Sequence, residues 1–199
     1  MRNALPYARA GQVIGLLGGS FDPAHEGHVQ LTLEALKQFG LDRVWWLVSP
    51  GNPLKSHGPA DIGKRLHRAA QVMDHPRVTI TDLETQTGTR YTAETLEALQ
   101  HLYPGVRFVW LMGADNLAQF HHWQDWQSIM ASVPIGVLAR PGDRMAARCS
   151  KAAQMFRAHR IAAHNSQALA DGPAPRWCFS NMPMNAQSSS KLRATGNWP

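Results

Sequence analysis

VIGLLGGSFDPAHEGH, residues 13–28, decides how the rest of the chain is read. Residues 13–17 are an apolar run that breaks into Gly18 and Gly19, which is how a buried parallel strand ends in a loop. A helix is predicted over 28–39, with Leu31, Ala35 and Leu36 on one face and Gly40 as its terminator. Two glycines at a strand end let backbone N–H groups approach phosphate oxygens without steric hindrance. A helix opening just beyond them adds unpaired N–H groups and a positive dipole end. His25 and His28 are three apart, so their rings share a side if the first helical turn begins at or just before His25. Imidazoles so placed can donate hydrogen bonds to phosphoryl oxygens, and Gly27 keeps space between them. The glycine offsets match neither the dinucleotide fingerprint nor the GxxxxGK[ST] phosphate loop. No third ligand is spaced for a metal site.

Outward from this stretch, strands are predicted over 44–48, 78–80, 106–112, 133–139 and 176–179. Helices are predicted over 61–73, 92–102, 116–130 and 144–159, with a terminal helix from about Ser189. Alternating strands and helices favour a Rossmann-like, three-layer α/β/α fold on a mainly parallel sheet with right-handed crossovers. Ligands of such sheets sit at the strand carboxyl ends, near the reversal of strand order. The loops after Leu17, Val48 and Met112 are therefore the functional ones. The chain has 199 residues, 44% of them hydrophobic, which suits one domain over 1–199, with 1–11 as a flexible extension. Its net charge of +6 attracts polyanions in general, but the basic residues are scattered, and no nucleic-acid-binding motif is present. Cys149 and Cys178 form neither a disulfide framework nor a zinc cluster. No leader and no apolar run of about 20 residues is found, so a soluble cytoplasmic protein without membrane or nucleic-acid partners is expected.

The string GGSFDPAHEGH resembles the signature of the nucleotidyltransferase superfamily with an (H/T)xGH motif, which His25, Gly27 and His28 fill. That resemblance implies direct nucleotidyl transfer from ATP, with Mg²⁺ accompanying the nucleotide. It implies that Gly18, Gly19, Ser20 and Phe21 form the ATP loop, with His25 and His28 at the β- and α-phosphates. The far end of the chain reads SSSKLRATGNWP. Serines cap helices and suit anions, and a bound phosphate would offset the cost of an Arg in a first helical turn. This end is similar to the second superfamily motif, ISSTxxR, with Ser188, Ser189, Ser190 and Arg193 matching and Gln187 replacing the apolar first residue. The resemblance implies that these four also bind ATP, with Arg193 catalytic.

The middle of the chain selects the acceptor. Asp115 follows a strong strand, where it either accepts from a ligand or caps a helix. Trp123 and Trp126 stand at helical spacing. Such a pair either packs internally or offers an indole to a pyridinium ring. TRYTAET and FVWLMGADNLAQFHHWQDW resemble the bacterial nicotinate-mononucleotide adenylyltransferases, over roughly residues 15–193. By that resemblance Lys55, Thr89, Tyr91, Thr92, Asp115 and Trp123 hold nicotinate mononucleotide, Lys55 serves catalysis as well, and Trp126 is packing. Asn52 and His57 flank Lys55, and Arg140 ends a strand at the ligand edge, a candidate for phosphate. The implied product is nicotinate adenine dinucleotide, made by a monomer or homodimer. The alternatives are a superfamily member acting on nicotinamide mononucleotide or phosphopantetheine and, from another class, a basic nucleic-acid-binding module.

Overall fold

The computed structural model describes residues 5–51, 58–139 and 144–182. Asn52, Lys55, His57, Arg140, Ser188, Ser189, Ser190, Arg193 and the terminal helix expected near Ser189 lie outside the described residues.

Seven strands, β1 (Val13–Gly19), β2 (Arg43–Val48), β3 (Val78–Thr81), β4 (Arg107–Gly113), β5 (Ile135–Ala139), β6 (Arg160–Ile161) and β7 (Trp177–Asn181), form one sheet in the order β3-β2-β1-β4-β5-β7-β6. Every pairing is parallel. Strand order reverses between β1 and β4, so the crevice at their carboxyl ends is where such a sheet takes a ligand.

Alternation along each strand builds two buried layers. Ile14, Leu16, Trp45, Leu47, Phe108, Trp110 and Met112 face one side, against α3 (Leu83–Thr87), α4 (Thr92–Leu102), α5 (Ala114–Gln119) and α6 (Trp126–Ser132). Val13, Leu17, Val44, Trp46, Val48, Val109 and Leu111 face the other, against α1 (Glu26–Gln38) and α2 (Ile62–Val72). This is the expected three-layer α/β/α arrangement, in which strands buried on both faces carry almost unbroken apolar runs.

The elements differ from the sequence reading where side chains override periodicity. The helix expected over 116–130 is three pieces: α5, a 3₁₀ turn at Phe120–His122, and α6. Asp125 takes a φ of +50° between them, a left-handed conformation that ends helical winding. Trp123 therefore lies in the break, not one turn along the same helix as Trp126. The helix expected over 144–159 divides into α7 (Arg144–Arg148), α8 (Lys151–Met155) and a 3₁₀ turn at Arg157–His159. Ser150 accepts from the backbone N–H of Ala153 and so starts a new helix. The short α3, a 3₁₀ stretch at Ala163–Asp171 and the two-residue β6 carry no periodic signal and were not anticipated. Residues 5–11, expected as part of a flexible extension, are tied to the turn before β4. The Tyr103 hydroxyl donates to the Pro6 carbonyl at 2.7 Å, and the Gly11 N–H to that of Gly105 at 2.7 Å.

Candidate active site

The β1–α1 loop forms around two histidines that serve as helix caps. His25, with an extended backbone, is the N-cap of α1, and its Nδ1 accepts from the Gly27 N–H at 3.0 Å. His28 reaches back, its Nδ1 accepting from the His25 N–H at 3.3 Å. These bonds form a reciprocal capping box built from imidazoles in place of the usual hydroxyl and carboxylate. A nitrogen that accepts carries no proton, so each neutral ring holds its proton on Nε2 and is a donor there. The ring centroids are 3.9 Å apart. The first turn begins directly after His25, one residue later than the sequence condition asked, and the two rings still lie side by side.

Behind the pair stands an aromatic wall. Phe21 is buried, its ring 4.8 Å from His28 and stacked at 4.8 Å on Trp46. Trp46 is fixed in turn by its Nε1–H donating to Thr32 Oγ1 at 2.7 Å, and Thr32 donates to the His28 carbonyl at 2.8 Å. Phe21 adopts a φ of +46°, a conformation that costs a non-glycine residue roughly 1–3 kcal/mol. The ring burial it permits offsets that strain. Within the ATP loop implied by the sequence, the Phe21 side chain is thus part of the wall that backs His28.

The two glycines serve opposite faces of the sheet. A Cβ on Gly18 would come within 2.5 Å of Trp110 Cη2, whereas one on Gly19 would meet the Phe21 ring at 3.5 Å, an ordinary contact. Gly18 therefore leaves room for an indole. Trp110 continues to Trp123, ring to ring at 6.2 Å and edge-on, and Trp123 also meets Phe120 at 5.2 Å. Trp123 is half-buried and linked through Trp110 to the glycine loop. Trp126 packs between Phe120 and Phe156, a packing residue as expected.

Of the other residues that the sequence assigns to the acceptor, Thr89, Tyr91, Thr92 and Asp115 lie at the same edge of the sheet. Thr92 opens α4, with Tyr91 as N-cap and Glu94 Oε2 accepting from the Arg90 and Tyr91 N–H groups at 3.0 and 3.2 Å. Those two bonds hold the Glu94 carboxyl below its usual range. The Thr89 hydroxyl is engaged with those of Thr87 and Thr95, each at 3.0 Å, so its side chain pins the loop. Asp115 is exposed in the first turn of α5, and a Cβ on Gly113 would clash with its Oδ1.

Two buried ionisable residues carry no motif and were missed. Glu84 on α3 is 7% exposed, and burial pushes its carboxyl up to about 7. Arg65 on α2 is 1% exposed, and its guanidinium donates to four backbone carbonyls around the β1 and β2 loops. Burial pulls its pKa down, and the charges of Asp22 and Asp61 oppose that. Among the described residues, no group of three His, Cys, Asp or Glu side chains is placed to hold a metal ion. No helix among them is long and apolar enough to cross a membrane.

Comparison with known proteins places the fold and the family. Residues 16–195 match the family model described as cytidylyltransferase-like. The chain is 64% identical over 198 residues to a probable nicotinate-nucleotide adenylyltransferase of Roseobacter denitrificans, covering 100% of both chains. It is 60% identical over 198 residues to the protein of that name from Ruegeria pomeroyi, covering 100% of this chain and 93% of the relative. Among solved structures, a Plasmodium falciparum nicotinic acid mononucleotide adenylyltransferase complexed with NaAD shares the fold. The TM-score is 0.68 at 16% identity, over 92% of this chain and 83% of that one. The chain belongs to the cytidylyltransferase-like family, among the bacterial nicotinate-nucleotide adenylyltransferases.

Proposed function

We propose that this chain transfers the adenylyl group of ATP to nicotinate mononucleotide, forming nicotinate adenine dinucleotide and pyrophosphate in NAD biosynthesis. The observation that carries the reading is the histidine pair: two rings 3.9 Å apart at a helix N-terminus, each committed at Nδ1 to a backbone N–H. Folding thereby fixes the tautomer that donates from Nε2. In the proposed reaction the 5′-phosphate of the acceptor attacks the α-phosphorus of ATP in line. A phosphate monoester is already anionic, so the protein supplies alignment and charge neutralisation in place of a strong base. His25 and His28 stabilise oxygens of the transferring and leaving phosphoryl groups, and the N–H of Ser20, just past the end of β1, completes the cradle. Lys55, Ser188, Ser189, Ser190 and Arg193, matched to the superfamily motifs, are assigned to the same phosphates. Imidazoles are poor company for a hard cation that prefers oxygen, so Mg²⁺ belongs with the triphosphate, where it neutralises charge on the leaving pyrophosphate.

For the acceptor, Trp123 offers a half-buried indole beside the glycine loop, and Thr92 brings the N-terminal N–H groups of α4 to the same edge. A ring carboxylate only accepts hydrogen bonds, and a pocket lined by donors discriminates against an amide. Thr89, Tyr91 and Asp115 complete this half of the proposed site. Relatives 60–64% identical over the full chain carry the name of this activity, which supports the acid acceptor. The deciding experiment incubates the protein with ATP and Mg²⁺ and with either nicotinate or nicotinamide mononucleotide, and measures pyrophosphate and dinucleotide. Formation of the acid dinucleotide at the higher kcat/KM is expected, and preference for the amide would overturn the substrate assignment.

A further inference from the structure

Arg65 stands apart from every motif, yet it is buried beside the site with four hydrogen bonds to backbone carbonyls. Its Nε donates to the Ala60 carbonyl at 2.7 Å. Its Nη1 donates to Ser20 and Ser49, both at 2.7 Å, and its Nη2 to Pro50 at 3.4 Å. These carbonyls come from three segments: the loop after β1, the loop after β2, and the entry to α2. Asp22, 8% exposed, closes the arrangement by accepting from the Ala60 N–H at 3.4 Å, and the Ser49 N–H donates to the Gly19 carbonyl at 3.0 Å.

A guanidinium is a rigid planar fork that keeps its charge, and it satisfies several carbonyls at fixed mutual angles. The first segment it grips leads directly into His25 and His28. The second is the start of the stretch in which the sequence puts Lys55. Burying a cation is expensive, and a core contact needed for stability alone is served as well by apolar side chains. A buried cation spent on aligning two phosphate-binding loops has a reason to be ionic.

We propose that Arg65 is a positioning residue of the transfer reaction, fixing the separation between the histidine loop that holds ATP and the β2 loop that holds the acceptor phosphate. The inference rests on the adenylyl-transfer reading. Each loop binds its own substrate, so loosening the link between them leaves both ground-state affinities nearly intact. In-line attack needs both loops in register, and that is what is lost.

The test compares wild type, Arg65→Met and Arg65→Lys in steady-state kinetics with ATP and nicotinate mononucleotide varied separately, alongside thermal unfolding. Misplacement of reacting groups by about 1 Å costs on the order of 10²-fold in rate, so Arg65→Met lowers kcat by about 100-fold while both KM values change by less than about threefold. Arg65→Lys, with one ammonium for the fork, restores part of the loss and stays about tenfold below wild type. An Arg65→Met protein that melts earlier but keeps wild-type kcat per folded molecule would overturn the proposal, as would a rise in KM at unchanged kcat. If Arg65→Met does not fold, Arg65→Lys decides. A fall of about tenfold in kcat at nearly wild-type Tm supports positioning, and wild-type kcat refutes it. The wild-type assay separates the two claims. Absence of product from the acid mononucleotide rejects the functional reading by itself, and the Arg65 comparison is then read on the acceptor that wild type does use.

Discussion

Replacing Glu84 by Gln should make the protein less sensitive to pH, through a carboxyl whose folded environment favours the proton. Glu84 is 7% exposed on α3, and burial moves its pKa from 4.5 to about 7. For an acid raised in the folded state, the native protein binds the proton more tightly than the unfolded chain. The associated stability is fully present below pH 4.5, drains away as pH rises towards 7, and stays lost above it. At about 1.36 kcal/mol per pH unit the whole excursion is roughly 3 kcal/mol, of which about 2.5 kcal/mol falls between pH 5 and pH 8. Urea denaturation of wild type and Glu84→Gln at pH 5, 6, 7 and 8 isolates the effect, because the other titrating groups are common to both. The variant gains on wild type steadily across that range and levels off beyond pH 7. A stability difference between the two proteins that stays constant from pH 5 to pH 8 would refute the argument, since a carboxyl with an ordinary pKa changes nothing there.

The remaining predictions concern the loop and the thiols. Gly18→Ala places a methyl 2.5 Å from Trp110 Cη2 and should cost about 1–3 kcal/mol. Adding Trp110→Phe should cost less than the two single changes summed, a coupling that urea titration of the double-mutant cycle measures. His25→Asn keeps an N-cap acceptor and should stay within about 0.5 kcal/mol of wild type, whereas His25→Ala should lose about 1 kcal/mol through the cap alone. Both lose a phosphate donor, so kcat should fall in each; an active Asn variant would show that the ring only caps. His28→Ala should lower kcat by about 10²–10³-fold with unchanged circular dichroism, and unchanged kcat would remove it from the chemistry. In the native protein, Cys149 is exposed and should react with a thiol reagent, whereas Cys178 is buried and pushed up to about 11. Two equally fast thiols in a disulfide-exchange titration would contradict that contrast.

The sheet was legible because its strands are apolar on both faces and its helices sit between them, so alternation of type alone implied parallel order. The histidine pair was legible because spacing of three and a strand–glycine–helix sequence are local facts. Arg65 was not. In GKRLHR it stands among Lys64 and Arg68 and reads like any solvated basic turn, and only tertiary structure swallows one of the three. The Trp123–Trp126 spacing misled because Asp125 adopts a left-handed backbone that propensity does not foresee. Gly18 was read for what could approach its backbone, whereas an indole two strand positions away in register, from Trp110 opposite Leu16, fills the space.

The adjacent glycines carry a consequence for how two substrates meet. Successive residues of a strand face opposite sides of a sheet, so Gly18 and Gly19 cannot serve the same layer. Gly19 opens towards Phe21, Trp46 and the histidine-capped helix, the layer to which the triphosphate is assigned. Gly18 opens towards Trp110 and, through it, Trp123 and the layer of α4, to which the pyridine ring is assigned. On the proposed assignment, the nucleotide donor and its acceptor are held by different layers of the protein and converge on a single phosphorus over the end of β1. The role proposed for Arg65 follows the same logic: substrates gripped from opposite faces need a rigid element beneath them to keep the grips in register, and the Arg65 guanidinium ties the two loops together there.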